Sequence, residues 1–596
     1  MPLLAPAAPV WKTRRVDEAA VERLAAARAL HPLLARLLVA RGISDPEAVG
    51  RHLQPSLMDL HDPRLLPGMD AACERIVRAL GGGETILVHG DYDVDGVTGT
   101  ALLVRLLRQL GARVEWHIPN RLRDGYAFGR HSVERARAVG ATLVVSVDNG
   151  TSSVGTIAEL RALGIETVVT DHHEPPAGEL PPAAAIVNPK LASSRYPFRE
   201  LCGGAVAFKL AWGVCQELSG GAKVRDDLRD FLVDATASVA IATVCDVVPL
   251  VDENRILASY GLRALGRSAH AGVSALMRVA GLERERVAAE DVAFQVGPRL
   301  NACGRLGSAR TALELLLCTD EARARELAGE LDRLNVQRKQ VEAELYERAL
   351  VEAERFEDPR RWPVLVVAGQ GWHQGVAGIV AARLARRFAR PALVIGLEGE
   401  AGRGSARSVE GVDVLALLDA GAEHTLRHGG HAQAAGCEVA AGSVDALREA
   451  MCARAGELGA DRRARPPLWI DAELSLSEMT PELMRQIERL EPFGERNEEP
   501  VLCFPDLRLA QPPSAVGAER SHLVLELRSG AAVLRAVGFG LAARAGELSM
   551  GRPLRVVASP RWNVFRGVTR LELRLQDFRA ESGAGEGPAR RGASVR

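Results

Sequence analysis

Four short segments concentrate the residue types that bind metal ions and move protons: HGDYDVDG (89–96), VDNG (147–150), TDHH (170–173) and CDVVP (245–249). Between them they offer Asp91, Asp93, Asp95, Asp148, His172, His173 and Asp246. Carboxylates packed within a few Å of one another cannot all stay ionised without cations between them. An oxygen-rich donor set with an imidazole suits Mg²⁺ or Mn²⁺ better than the thiolate geometry of structural zinc. Two such ions about 3.5 to 4 Å apart, with one carboxylate bridging, form an arrangement that hydrolyses phosphodiesters. The D-x-D-x-D-G of the first segment also opens an EF-hand loop, but position 12 of that loop would be Leu102 where a bidentate Glu is required.

The elements around these segments explain how they could meet. Three of them directly follow short apolar runs, ILV (86–88), TLVVS (142–146) and ETVV (166–169), and Asp246 ends a longer apolar stretch. The apolar runs alternate with amphipathic stretches such as VTGTALLVRLLRQLGA, the pattern of βαβ units in a mostly parallel sheet. All strands of such a sheet open on one edge, so side chains just past several strand ends converge on one crevice. The expected fold class is therefore α/β. A small helical lead-in (1–70) precedes the first α/β domain (71–265), and a helical connector (266–358) carries the long polar helix around residues 319–356. A second α/β pattern fills 359–460. After the linker-like DRRARPP (461–467) come five short alternating strands, read as a small OB-like β-barrel over 461–580, and a Gly-, Ala- and Arg-rich tail (581–596).

The second half carries phosphate-binding chemistry. In GGHAQAAG (429–436), unobstructed backbone N–H groups precede an Ala run read as helical, so an anion could sit on the helix N-terminus at Gly430 with His431 as an added donor. In GSARS (404–408), Ser405 and Arg407 lie two apart and can point to one side of an extended loop. Arg299 and Arg305 in PRLNACGRL are further phosphate candidates, with a junction salt bridge as the competing reading. Tyr126, Phe128, Trp372, Phe493, Trp562 and Phe565 are the aromatic candidates for stacking, and Arg535, Arg561, Arg566 and Arg570 the cations of the barrel region.

Composition excludes several classes. The 75 basic and 76 acidic residues give a net charge of -1, so no whole-chain field attracts nucleic acid and any polyanion site must be local. Nine cysteines without a C-x-x-C pair argue against a disulfide framework and a zinc ribbon. The apolar runs carry charges and no signal-like segment opens the chain, so no membrane association and a cytoplasmic location are expected.

HGDYDVDG, SVDNG, TDHH and TVCDVVPL resemble, in order, the four motifs of the DHH phosphoesterase superfamily. PRLNACGRL, GWHQGVAGIVAARL, GSARS, GGHAQAAG and LEPFGERNEEPVL resemble the bacterial RecJ exonuclease family within it. The likeness runs from about residue 70 to about 505. It implies that the two α/β domains are a DHH and a DHH-associated domain, and that Asp93, Asp95, Asp148, His172 and Asp246 bind two Mn²⁺ or Mg²⁺ ions, with Asp148 as the bridge. It gives catalytic roles to Asp148, His173 and Asp91, His173 facing the scissile phosphate; whether His89 and Asp91 touch metal stays open. A pocket for a 5′-terminal phosphate is implied around Ser405 and Arg407 with Arg121. The implied activity is 5′ to 3′ hydrolysis of single-stranded DNA to mononucleotides, in repair and recombination. A single-stranded-DNA-binding protein and a recombination helicase are candidate partners. The alternative is a DHH-family hydrolase of short oligonucleotides or cyclic dinucleotides.

Overall fold

A computed structural model describes residues 9–121, 123–124, 128–283, 286–459, 467–565 and 568–581. Tyr126, Arg566, linker residues 461–466 and tail residues 582–596 lie outside the described residues, as does the side chain of Phe565. The chain divides into two units, one built from 56–464 with 494–496 and the other from 1–55, 465–493 and 497–596.

Short apolar runs form the frame of the first unit. Strands β1 (Thr85–His89), β2 (Arg113–His117), β3 (Leu143–Ser146), β4 (Glu166–Thr170) and β5 (Ala185–Val187) make one sheet in the order β2-β1-β3-β4-β5, parallel throughout. Ile86, Leu87, Val88, Leu143 and Val145 are completely buried, as expected for a parallel sheet covered on both faces. Helices α1 (Val94–Gln109), α2 (Gly203–Ser219) and α3 (Asp226–Cys245) pack together on it. The next two strands in the chain, β2 and β3, lie on opposite sides of β1, so the strand order reverses between β1 and β3. Such a reversal opens a crevice beyond the strand ends.

Helix α4 (Gly297–Leu306) follows a π-helical turn, and α5 (Glu321–Glu354) is the long polar helix. The buried stripe of α5 has two parts. Ala324, Leu327, Ala328 and Leu331 recur at helical spacing and pack on the helical core, whereas Leu345, Tyr346, Ala349 and Ala353 pack on the second α/β core. That second core lies on β6 (Leu365–Gln370), α6 (Gln374–Phe388), β7 (Ala392–Glu398), β8 (Ala401–Arg407), β9 (Arg427–Gly430) and β10 (Ala434–Ala440), with strand order β9-β10-β8-β7-β6. Only β6 and β7 are parallel.

One expectation is overturned here. The Ala run of GGHAQAAG begins strand β10, not a helix, so no helix N-terminus stands behind Gly430. Ala is a strong helix former, but Ala435, Cys437 and Val439 are buried in alternation against the sheet, and tertiary burial at period two outweighs a propensity difference of a few tenths of a kcal/mol.

In the other unit, β11 (Leu502–Leu509), β12 (His522–Ser529), β13 (Ala532–Gly538), β14 (Leu554–Phe565) and β15 (Val568–Ala580) close a ring in the order β11-β12-β13-β15-β14-β11. Only the β13–β15 pair is parallel. Residues 9–55, expected as part of a separate lead-in, fold with this ring. Leu33, Leu34, Leu37 and Leu38 share its core with Leu476, Leu483, Ile487 and Phe504, because a nine-residue helix with so apolar a face cannot bury it alone. Val10–Thr13 pairs in parallel with Pro467–Ile470.

Candidate metal centre and phosphate pocket

The acidic segments meet at the strand-order reversal. Asp93 caps α1, its Oδ1 accepting from the Gly96 amide at 3.1 Å. Asp95, in the first turn of α1, accepts from the amides of Gly203 at 2.6 Å and Gly204 at 2.7 Å, and is thereby held by the open end of α2. Asp148 follows β3 in a left-handed conformation, φ 64°, that costs a non-glycine residue energy and marks a position over-determined by its surroundings. Gly203 makes room for it: a Cβ there would stand 2.5 Å from Asp148 Cβ. Asp246 ends α3 and is followed by Val247 at φ 61°.

His172 Nε2 lies 3.2 Å from Asp148 Oδ1, 3.6 Å from Asp246 Oδ2 and 3.8 Å from Asp95 Oδ2. Two donor groups result, Asp91, Asp93 and Asp148 on one side and Asp95, His172 and Asp246 on the other, each with ligand atoms within 4.8 Å of one another. Asp148 stands between them. Asp91 Oδ1, Asp148 Oδ1 and His172 Nε2 are buried and form no hydrogen bond. Buried polar atoms left this way are costly unless a cation satisfies them.

The electrostatics agree. Burial, and then the neighbouring carboxylates, push Asp148, Asp91 and Asp246 well above the usual carboxylate range; burial also raises Asp95. Burial lowers His172 to about 4, leaving a neutral ring whose lone pair is free for a cation. His173 moves the other way. Burial opposes its charge, but a 2.8 Å hydrogen bond from Nδ1 to Asp171 Oδ1 and the negative charge of Asp171 prevail, and its pKa rises.

Three residues of this site were missed by sequence reasoning. Asp171 accepts from the amides of Thr151 (2.9 Å), His172 (2.8 Å) and His173 (3.2 Å) as well as from the His173 ring, so it fixes both histidines. Asn188 Nδ2 donates to His173 O at 2.9 Å, and the charge of Lys190 acts on both His172 and Asp246. The available signal was that Asn188 to Lys190 also follow a parallel strand. His89 leaves the cluster: its Nε2 is 2.9 Å from Ser132 Oγ, and its ring stacks on Phe128 at 4.3 Å.

A cationic pocket adjoins the acidic one. Arg121 lies over the Tyr92 ring at 5.2 Å, in the first acidic loop. Arg305, near the end of α4, is held down to about 10 by burial first and then by repulsion from Arg121, Arg407 and Arg338. Arg407 is lowered by burial and by Arg121. Ser405 and Arg407 share one face of strand β8: a Cβ at Gly378 of α6 would lie 3.0 Å from Arg407 Nη2 and 3.5 Å from Ser405 Cβ. Arg299, by contrast, pairs with Asp332 at 2.9 Å, the salt-bridge alternative. Gly430 and His431 sit at the exposed tip of the β9–β10 hairpin, where His431 N donates to Ala434 O at 2.8 Å; Gly430 is two strands from β8, about 10 Å away. Phe128 and Trp372 are buried, and Phe493 and Trp562 pack against the core of their unit.

Comparison with known proteins decides the family. Residues 85–238 match the DHH family N-terminal domain, 362–457 the DHHA1 domain and 470–577 the RecJ OB domain. The single-stranded-DNA-specific exonuclease RecJ of Dickeya dadantii is 36% identical over 559 residues, covering 92% of this chain and 96% of that one. This chain belongs to the RecJ family. The RecJ of Bacillus subtilis is 34% identical over 571 residues, 95% of this chain and 70% of its own length. The crystal structure of Thermus thermophilus RecJ in complex with Mn²⁺ superposes with a TM-score of 0.80 at 29% identity, covering 96% of this chain and 80% of that one. A manganese-bound RecJ exonuclease structure, 34% identical, has a TM-score of 0.58 over 69% of this chain and 98% of its own. Among the described residues no helix is long and apolar enough to cross a membrane.

Proposed function

We propose that this chain is a two-metal exonuclease that degrades single-stranded DNA from the 5′ end to mononucleotides, in DNA repair and recombination. The observation that carries the reading is the convergence of Asp91, Asp93, Asp95, Asp148, Asp246 and His172, with orphaned buried ligand atoms, beside a pocket of guanidiniums. In this reading Asp93, Asp95, Asp148, His172 and Asp246 hold two Mn²⁺ or Mg²⁺ ions, the metals of the RecJ crystal structures, with Asp148 shared. When bound, the ions supply the charge that acidifies an attacking water and neutralises the phosphoryl oxygens.

The protein's own groups do the rest. Asp171 holds the His173 ring so that a protonated imidazole faces the phosphate and donates to a non-bridging oxygen. Asp91, its carboxyl raised by burial and by Asp93, is placed to take a proton from the attacking water. Arg121, Arg305, Ser405 and Arg407 receive the 5′-terminal phosphate, with Gly430 and His431 as outer contacts. A terminal phosphate anchored beside the metal centre sets both polarity and a one-nucleotide step. The resemblance adds a single-stranded-DNA-binding protein and a recombination helicase as proposed partners, and the cytoplasm as the proposed compartment.

The test is digestion of 5′- and 3′-labelled single strands with Mn²⁺ or Mg²⁺, resolved by product length. Mononucleotides released progressively from the 5′ end support the reading. Hydrolysis confined to cyclic dinucleotides or oligonucleotides a few residues long would replace it.

A further inference from the structure

Trp469 is an aromatic ring that the fold places in solvent among cations. The short ribbon of Val10–Thr13 and Pro467–Ile470 alternates by the pleat: Trp11, Leu468 and Ile470 turn inward, where they pack with Cys503 and Val557, and Trp11 Nε1 donates to Asp577 Oδ2 at 2.6 Å. Trp469 and its register partner Lys12 therefore share the outward face, and Trp469 is 41% exposed. Lys12 Nζ and the Arg14 guanidinium each lie 5.6 Å from the ring centroid. Arg14 is paired with Asp471 at 3.2 Å. Lys12 and Arg15 are exposed and form no ion pair with a described residue. Lys12, Thr13, Arg15 and Trp469 line an open hollow of about 450 Å³.

Two of the cations expected to grip a strand in this unit are less available, whereas Arg570 is exposed. Arg561 and Arg535 lie 3.2 and 3.9 Å from the buried carboxylate of Glu572, and Trp562 packs against the core. An indole flanked by unpaired cations is the combination that holds single-stranded nucleic acid without sequence preference, the base stacking on the ring while the cations meet phosphates.

We infer that Trp469, with Lys12 and Arg15, forms a stacking site for one nucleobase of a single strand and its adjacent phosphates. The inference rests on the proposed action on single-stranded DNA. It places the contact on a ribbon that joins the N-terminal segment to the barrel unit, whereas the carboxylates that would break the bond belong to the other unit.

The full chain is tested with Ca²⁺ in place of the catalytic metals, so that binding is read without hydrolysis. Trp469→Ala should weaken binding of a thirty-nucleotide oligothymidylate about tenfold, as expected for loss of one base–aromatic stack, and Trp469→Phe should restore most of it. The exposed pair Lys12→Gln/Arg15→Gln should lower the slope of log affinity against log salt by about 1.4, or about 0.7 for each phosphate no longer neutralised. Hydrolysis of a four-nucleotide substrate with Mn²⁺ should stay within twofold of the parent in all variants. Unchanged affinity and slope would overturn the site. Equal losses on the long and short substrates would overturn it too, because the effect would then be on the fold or the metal centre. A parent chain that neither binds nor degrades single strands would instead remove the function on which the inference rests.

Discussion

Replacing Arg407 by Gln perturbs the cationic pocket at its least entangled member. Arg305 shows how the pocket is loaded: burial first, and then the charges of Arg121, Arg407 and Arg338, hold its pKa down to about 10. A phosphate dianion relieves that repulsion as well as accepting hydrogen bonds, whereas a 5′-hydroxyl does neither. Loss of one charge-assisted hydrogen bond costs about 1.5 to 3 kcal/mol, or about ten- to 150-fold. Removing the Arg407 charge also frees Arg305 of one repulsive neighbour, so the net loss should sit at the low end. We therefore expect the ratio of kcat/KM for 5′-phosphorylated over 5′-hydroxyl strands to fall about tenfold in Arg407→Gln, with the 5′-hydroxyl substrate nearly unaffected. Arg305→Gln should act in the same direction. The assay is initial-rate hydrolysis of paired 12-mers differing only at the 5′ end. A ratio within twofold of the parent, or an equal loss on both ends, would refute the assignment of this pocket to the terminal phosphate.

Four further outcomes are expected from the same geometry. Asp171→Asn keeps the shape but removes the hydrogen-bonded charge that raises His173, so the high-pH limb of the rate profile should move to lower pH and turnover at pH 8 should fall several-fold; an unmoved limb would separate Asp171 from proton transfer. Asp148→Ala should abolish hydrolysis and reduce bound Mn²⁺ by at least one ion per chain in equilibrium dialysis, with far-UV circular dichroism unchanged. Because Asp91, Asp95, Asp148 and Asp246 are all raised, protons compete with the cations: Mn²⁺ affinity by calorimetry should rise with pH, with protons released on binding. A chain truncated after Gly459 should expose Leu33, Leu34, Leu37 and Leu38 and aggregate on size-exclusion chromatography, whereas residues 56–459 should elute without aggregates.

The donor set was legible in the sequence because two simple periodicities place it. A parallel sheet built from ILV, LVVS and ETVV must bring the residues just past each strand to one edge, and those residues include Asp91 to Asp95, Asp148 and His172. The competing roles of neighbours were not legible. His89 and Asp91 are two residues apart, yet one turns to Ser132 and Phe128 while the other enters the donor cluster, a choice made by strand twist and by what packs behind β1. Asp171 escaped notice because its work is done on its own neighbours, through four hydrogen bonds that no residue spacing announces.

By itself, then, the sequence determined the residue types at the strand ends and so the chemistry available, because strand period and apolar runs are local properties. Only the tertiary structure decided where the charges went unpaired. Arg299 and Arg305 stand six residues apart in one helix, and the first found Asp332 while the second came to lie among other guanidiniums. The Ala run after Gly430 became a strand because β8 was there to pair with it, and the leucines near the start were buried by a barrel formed more than four hundred residues later. Long-range partners override local preference whenever the apolar surface they bury outweighs a few tenths of a kcal/mol of propensity.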